Sequence, residues 1–232
     1  MSIGRAVIRP LKNSLDDMPV HVRQLAEMFR KHGVKQDAAR GRVEGLDAAK
    51  VPDDLQKAWK TDSVWMPDDV VGAGKGNRPD PGDYLDEDYV KKHLERFKDG
   101  GTRFYRPSSL DTYGPGNAGT TFVFPTSEVD DLIAQAGGDP EKLGVLLGLG
   151  EDFFPADGVV TRADFTYDEL QAGDLRIPSG NEGGADQEKW IPGGYLPEGL
   201  REAVFTTHPH ATSADPSVGG TWGSFDGEFS LR

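Results

Sequence analysis

The stretch of this chain that decides its architecture lies between residues 174 and 205. It reads Asp174-Leu-Arg-Ile-Pro-Ser-Gly-Asn-Glu-Gly-Gly-Ala-Asp186, then Trp190-Ile-Pro-Gly-Gly-Tyr195, then Leu196-Pro-Glu-Gly-Leu-Arg-Glu-Ala-Val-Phe205. A short strand at 175–178 opens into a glycine-rich loop, and the stretch ends in a second strand that carries Glu202. Glycine lets backbone approach a ligand closely, and functional side chains concentrate on loops held by a rigid scaffold. We therefore predict a ligand-binding loop that closes onto a strand bearing a carboxylate.

The order of elements around this stretch predicts the fold class. Hydrophobic periodicity and the positions of glycine and proline predict, in chain order, a helix at 86–99, strands at 102–106 and 119–124, helices at 127–136 and 139–149, and strands at 159–165, 175–177, 189–191 and 203–206. Helices and strands are thus grouped and do not alternate. This order predicts an α+β fold and argues against a doubly wound parallel sheet.

Composition divides the chain into three parts. A short helix is predicted at 53–60, and another at 18–31, where apolar residues fall on one stripe. Residues 72–82 are rich in glycine and proline, which predicts a linker. We therefore predict a helical N-terminal segment with its linker at 1–82, a main domain at 83–206 and a tail at 207–232. The tail is either partly disordered or packs as an edge strand at 227–231.

Charge and composition exclude several classes of protein. The formal net charge of −13 repels nucleic acid and suits a basic protein partner. The chain has no cysteine, which excludes disulfides and a thiol nucleophile. No apolar run approaches the ~20 residues of a membrane span, so no membrane partner is expected. The N-terminus lacks the apolar core of a signal peptide, so export would need a dedicated secretion system or a larger parent chain.

Motifs for several other chemistries are incomplete. Gly72-x-Gly74-x-Gly76 lacks the spacing of a phosphate-binding loop, and Ser179 does not sit in a nucleophile elbow. His208-Pro-His210 offers two imidazoles without further ligands, so we predict no metal site. His93 lies beside the apolar stripe of its helix and is predicted to be a surface residue.

The strand at 102–106 carries two arginines around an aromatic pair. Alternation puts Arg103 and Tyr105 on one face and Phe104 and Arg106 on the other. A guanidinium directed toward the core needs an anionic partner, and its planar fork suits a pyrophosphate; the alternative is a set of ordinary surface salt bridges. Glu202 is likewise either a solvent-facing charge on an edge strand or a carboxylate that stabilises an oxocarbenium-like centre.

Several short motifs together resemble a known family. They are, in chain order, the arginine strand, Leu110-Asp-Thr-Tyr-Gly114, Gly119-x-x-Phe122-x-x-Pro125, Val160-Thr-Arg162 and Trp190-x-Pro-Gly-Gly194. Over residues 84–206 this order resembles the C-terminal toxin domains of bacterial polymorphic toxins, especially the NAD-cleaving domains of the tuberculosis necrotizing toxin type. Those domains carry Asp-Arg-[Phe/Tyr]-Gly, Gly-x-Phe-x-x-Pro and a Pro-Gly-Gly loop beside a catalytic glutamine. Here Thr112 replaces the motif's arginine, and Ile191 stands where the glutamine would be.

The resemblance implies an enzyme that cleaves NAD at the nicotinamide–ribose bond, as an NAD glycohydrolase or an ADP-ribosyltransferase. It also implies the ADP-ribosyltransferase-like fold, with curved antiparallel or mixed sheets and flanking helices. The implied site residues are Arg103, Arg106 or Arg162 for the pyrophosphate, Tyr113 and Phe122 for ring stacking, Asn181, Glu182 and Trp190 along the loop, and Glu202 as the catalytic acidic residue that stabilises the ribosyl cation.

NAD would be the substrate, and no other cofactor is implied. The family further implies a toxin that is secreted or delivered into a target cell, a protein target if ADP-ribose is transferred, and a cognate immunity protein. Two alternatives stay open: a toxin of another chemistry, such as a nuclease, and a non-enzymatic secreted binding module whose glycine-rich loops are only turns.

Overall fold

The computed structural model describes residues 53–150, 152–154, 159–186, 190–196, 199–207, 221–225 and 230–231. The predicted helix at 18–31 and the two histidines at 208 and 210 lie outside these ranges. The described helices are α1 (Asp53–Lys57), α2 (Pro67–Gly72), α3 (Pro81–Tyr84), α4 (Glu87–Glu95), α5 (Pro107–Tyr113), α6 (Thr126–Ala136), α7 (Pro140–Leu146) and α8 (Tyr167–Ala172). No helix in these ranges is long and apolar enough to cross a bilayer.

The described strands form one sheet. They are β1 (Gly101–Tyr105), β2 (Thr120–Pro125), β3 (Val160–Phe165), β4 (Ala203–Thr206), β5 (Thr221–Phe225) and β6 (Ser230–Leu231). Their order across the sheet is β4-β2-β1-β3-β5-β6, and every pairing among them is antiparallel. The α+β class is thus as predicted. The predicted strands at 175–177 and 189–191 are reduced to single bridges at Arg176 and Ile191.

The neighbouring strands β1 and β2 stay paired at one end only. β1 and β2 pair at Gly101↔Pro125 and Thr102↔Phe124. On its other side β1 pairs with β3 along its whole length, and β2 pairs with β4 from Thr120 to Val123. The sheet is therefore two halves joined at one corner, with a gap that opens between β1 and β2 beyond Thr102.

Helices α6 and α7 cover one face of the sheet. Their apolar residues pack with Phe104 and Phe124, while Tyr105 belongs to a second cluster on the other face. The guanidinium carbon of Arg103 lies 5.8 Å from the centre of the Tyr105 ring. That of Arg106 lies 5.1 Å from the ring of Phe153, which packs against the Phe104 cluster. The predicted alternation along this strand is confirmed.

A third apolar cluster joins residues that are far apart in sequence. It combines Leu55, Trp59 and Val70 with Tyr84, Leu85, Tyr89, Ile177, Trp190, Ile191 and Tyr195. The glycine-rich segment that predicted a linker at 72–82 lies between α2 and α3 of this cluster, and Asn181 accepts hydrogen bonds from its backbone. This glycine- and proline-rich segment is therefore a packed turn in the structure. The boundary of the main domain at residue 83 stays a prediction.

The stretch at residues 174–205 passes through all three clusters. Trp190 and Tyr195 belong to the cluster with α1, Leu196 and Leu200 to the cluster under α6 and α7, and Phe205 to the cluster on the opposite face. A segment that contributes to every core is fixed at several points. Glu202 lies within this segment, between Leu200 of the cluster under α6 and α7 and Phe205 of the cluster on the opposite face.

Candidate functional site

The gap between β1 and β2 is a cleft of about 200 Å³. Its lining comes from Arg103–Arg106 and Ser109, the turn at 114–117, the first half of β2, Phe153 and Gly184. Phe122 lies in this lining, as do the two arginines of β1. The divergence of two strands therefore brings together three residues that the sequence assigned to ligand binding.

The charged residues among those that line the cleft are both arginines. Arg103 is half-buried and Arg106 is exposed, and neither forms a salt bridge with another described residue. The alternative of ordinary surface salt bridges therefore does not hold within the described ranges. Two guanidinium groups that no described carboxylate pairs, in one cleft of an acidic chain, favour an anionic ligand.

Glu202 is buried directly before β4, with 5% of its surface exposed. The alternative of a solvent-facing edge charge is therefore wrong. No described side chain donates a hydrogen bond to its carboxylate, and burial raises its pKa to about 8. The positive charge of Arg103 lowers this pKa and the negative charge of Glu182 raises it, so both groups lie within electrostatic range. A carboxyl group with so perturbed a pKa, within electrostatic range of an arginine that lines the cleft, is a candidate functional group.

The turn at Pro192-Gly193-Gly194 fixes the backbone of Glu202. The Glu202 amide donates to the Gly194 carbonyl over 2.8 Å, and Nε2 of His93 lies 3.0 Å from the Glu202 carbonyl. Gly194 has φ +81°, and a Cβ there would lie 2.7 Å from His93 Nε2 and 2.9 Å from the Glu202 carbonyl oxygen. Only glycine fits this position, which explains the motif in physical terms.

His93 is a residue whose role the sequence missed. It was predicted on the helix surface, but it is 3% exposed, and burial lowers its pKa to about 4. The neutral ring must donate through Nε2, because a carbonyl oxygen only accepts. Its Nδ1 has no hydrogen-bond partner among the described residues. The periodicity of α4 could have placed His93 inward, since Tyr89, one turn earlier, is also buried.

The side chains of Asn181 and Glu182 are engaged by protein groups. Oδ1 of Asn181 accepts from the amides of Gly76 (2.7 Å) and Arg78 (3.2 Å), and its Nδ2 donates to the Arg78 carbonyl (3.0 Å). The Glu182 carboxylate accepts from the amides of Ser179 (2.9 Å) and Gly180 (2.8 Å). Both residues therefore hold the loop in shape.

Two other predicted site residues, Trp190 and Arg162, lie elsewhere. Trp190 is buried in the core, where its indole N–H donates to the Pro178 carbonyl over 3.3 Å. Arg162 is buried and paired with Asp130 (3.0 Å) and Asp164 (2.8 Å), so its fork is occupied. Neither belongs to the cleft lining. Tyr113 is the last residue of α5 and directly precedes Gly114 of the cleft.

Among the residues described, no group of three or more histidine, aspartate or glutamate side chains could hold a metal ion. Comparisons with family models, with curated proteins and with solved structures find no match to this chain. The function has to be inferred from the cleft and the charged groups around it.

Proposed function

We propose that this protein cleaves NAD at the nicotinamide–ribose bond, within an α+β domain of the ADP-ribosyltransferase-like type. One observation carries the proposal: β1 and β2 diverge into a cleft whose described charged lining residues are two arginines without a salt bridge to another described residue, and a buried Glu202 lies within electrostatic range of Arg103. An anionic dinucleotide needs a basic cleft, and its cleavage needs a carboxylate close to the sugar.

Each group has a distinct task in this proposal. The fork of Arg103 binds a pyrophosphate oxygen pair, and Phe122 offers a ring face for one of the two heterocycles. The bond between ribose C1′ and the ring nitrogen breaks, and nicotinamide leaves with both bonding electrons as a neutral molecule. Glu202 stabilises the positive charge that develops on the ribose. Water then adds and loses a proton, or a nucleophilic group of a protein target adds in its place.

The protonation of Glu202 follows from its burial. With a pKa of about 8, the carboxyl group is largely protonated in the free protein at neutral pH. The pyridinium ring of NAD carries a positive charge, and an opposite charge nearby favours the ionised carboxylate. Binding of NAD therefore promotes the loss of the proton, and the active form is generated together with the complex.

The biological setting in this proposal comes from the family resemblance. The domain acts as a toxin that a dedicated secretion system delivers into a target cell, and a cognate immunity protein protects the producing cell. The β1–β2 cleft and the buried Glu202 support the NAD-cleaving part of the proposal, and the toxin part depends on the sequence motifs.

The direct test is incubation of the purified full chain with NAD and measurement of released nicotinamide. We expect release by the wild type and a loss of about 100-fold or more in Glu202→Gln, the scale of removing one transition-state-stabilising group. Glu141→Gln, an exposed glutamate on α7, is the matched control. Free ADP-ribose as product indicates a glycohydrolase, and ADP-ribose attached to a target protein indicates a transferase. Wild-type activity in Glu202→Gln, or no release by the wild type, would reject the proposal.

A further inference from the structure

The loop at residues 179–186 packs tightly against the cleft. Gly184 lines it, and a Cβ at this position would lie 3.2 Å from the Phe122 ring. A Cβ on Gly183 would lie 2.6 Å from the carbonyl oxygen of Asn117, which also lines the cleft. The loop thus has no room for a side chain at residue 183 and forms a wall of the cleft beside Phe122.

Residues 75–78 hold the same loop from another side. Asn181 bonds the backbone of Gly76 and Arg78, and Nζ of Lys75 donates to the carbonyls of Gly183 (3.3 Å) and Ala185 (3.0 Å). The guanidinium of Arg78 donates to the Gly180 carbonyl and lies 4.3 Å from the centre of the Trp190 ring. Arg78 is itself only 6% exposed, so its position is fixed by the core.

We infer that Arg78 and Asn181 are positioning residues, which hold loop 179–186 as a wall of the β1–β2 cleft and so set its affinity for the ligand without touching it. The identity of the ligand as NAD rests on the proposed function. Within the segment that composition marked as a linker, Lys75, Gly76 and Arg78 are then the scaffold to which this wall is attached, outside the binding site itself.

The geometry separates affinity from the chemical step. The backbone of Glu202 is held by Gly194 and His93, and neither of these groups belongs to the 75–78 scaffold. Loss of an anchor of the wall should therefore leave the carboxylate in place. A wall that must be ordered during binding lowers affinity, because the ordering entropy is then lost at that step. The Michaelis constant should rise while the turnover number stays close to that of the wild type.

The test compares Asn181→Ala with Asn77→Ala in the full chain. Asn77 is exposed in the same segment, and its side chain forms no hydrogen bond within the described ranges, so it is a matched control. For Asn181→Ala we expect amide hydrogen exchange at 179–186 to quicken about tenfold. We also expect KM for NAD to rise about tenfold, with kcat within about threefold of the wild type. Asn77→Ala should leave all three quantities unchanged. If Asn181→Ala does not fold, Lys75→Met takes its place. This variant removes two exposed hydrogen bonds to the loop, and we expect the same effects at a smaller size.

Two results would overturn the inference. Unchanged exchange at 179–186 in both Asn181→Ala and Lys75→Met would show that these side chains do not hold the loop. Faster exchange with an unchanged KM would show that the loop is not a wall of the binding site. If the wild type releases no nicotinamide but amide exchange at 179–186 is faster in the variants, the NAD proposal is rejected and the positioning role is supported.

Discussion

At the scale of single residues, the burial of Glu202 links protonation to stability. The unfolded chain loses this proton near the ordinary value of 4.5, whereas the folded chain keeps it up to about 8. Between these values the folded state binds one proton more, so the free energy of unfolding falls as pH rises. The contribution is thus fully present below pH 4.5 and is lost as pH rises toward 8.

We expect Glu202→Gln, which cannot ionise, to gain stability over the wild type by up to about 1.4 kcal/mol per pH unit across this window. Urea unfolding of both proteins at pH 5, 6.5 and 8 measures the difference. The other titrating groups, His93 included, are common to both chains and cancel. Glu141→Gln serves as control and should track the wild type at every pH. A difference between Glu202→Gln and the wild type that does not grow with pH would contradict the raised pKa.

The same ionisation governs the expected pH dependence of NAD cleavage. Since kcat/KM reports the free enzyme, it should rise about tenfold per pH unit below 8 and level off above that value. Stopped assays of nicotinamide release between pH 6 and 9 provide the profile. A flat profile over this range would show that an ionised Glu202 is not required.

The two arginines of the cleft should differ in importance. Arg103 is half-buried and within electrostatic range of Glu202, whereas Arg106 is exposed. Replacement of Arg103 by lysine keeps the charge and loses the fork, so we expect KM for NAD to rise about tenfold, or ~1.4 kcal/mol. Arg106→Lys should change KM less than about threefold. Initial rates over a range of NAD concentrations decide this, and equal effects at both positions would place the phosphates elsewhere.

At the scale of elements, local signals account for what the sequence predicted well. β4 falls where the run Ala-Val-Phe-Thr predicted it, and α7 begins after Asp139, whose side chain accepts from the Lys142 amide as a cap. Helix α8 was missed although Thr166 and Glu169 form a capping box, a signal that the sequence does contain. Helix α5 was not predicted, because a proline after a strand is also typical of a strand end, whereas Pro107 is the first residue of this helix.

The site was predictable only in part, for a physical reason. The residue types of an anion-binding cleft, Arg103, Arg106 and Phe122, stand out in the sequence and meet in the structure. Which charges are already paired depends on register between strands and helices: Arg162 meets Asp130 of α6, and no local pattern reveals that. Long-range contacts of this kind also hid the role of residues 75–78.

Helix α1 and the turn after it should behave as core elements. Trp59 is 4% exposed, stacks on Tyr84 with ring centres 4.7 Å apart, and donates its indole N–H to the Trp65 carbonyl over 2.7 Å. We expect Trp59→Ala to lower the free energy of unfolding by about 3–5 kcal/mol, the range for buried aromatic truncations. Val64→Ala, at a position 85% exposed, should stay within about 0.5 kcal/mol. Chemical denaturation measures both free energies of unfolding. Equal small effects of the two substitutions would show that this region is not part of the core.

At the scale of the whole molecule, residues 53–82 and 174–205 depend on one another. A chain that begins at Asp83 lacks Leu55, Trp59 and Val70 of their shared cluster, and also Arg78, which stacks on Trp190. We expect such a chain to lose its cooperative thermal transition, whereas a chain that begins at residue 53 keeps these contacts and should retain one. Calorimetry of the two truncated chains provides the comparison. A cooperative transition at the same temperature in both would place the domain boundary at residue 83 after all.

The divergence of β1 from β2 also has a consequence for evolution. Where neighbouring strands separate, alternate main-chain N–H and C=O groups that would have bonded across the sheet face the gap instead. Every amino acid except proline carries both groups, so a point mutation to any other residue does not erase them. A molecule that docks there can draw part of its recognition from the polypeptide itself, and the side chains around it are free to drift between lineages. Related proteins could then share the opening while sharing few residues.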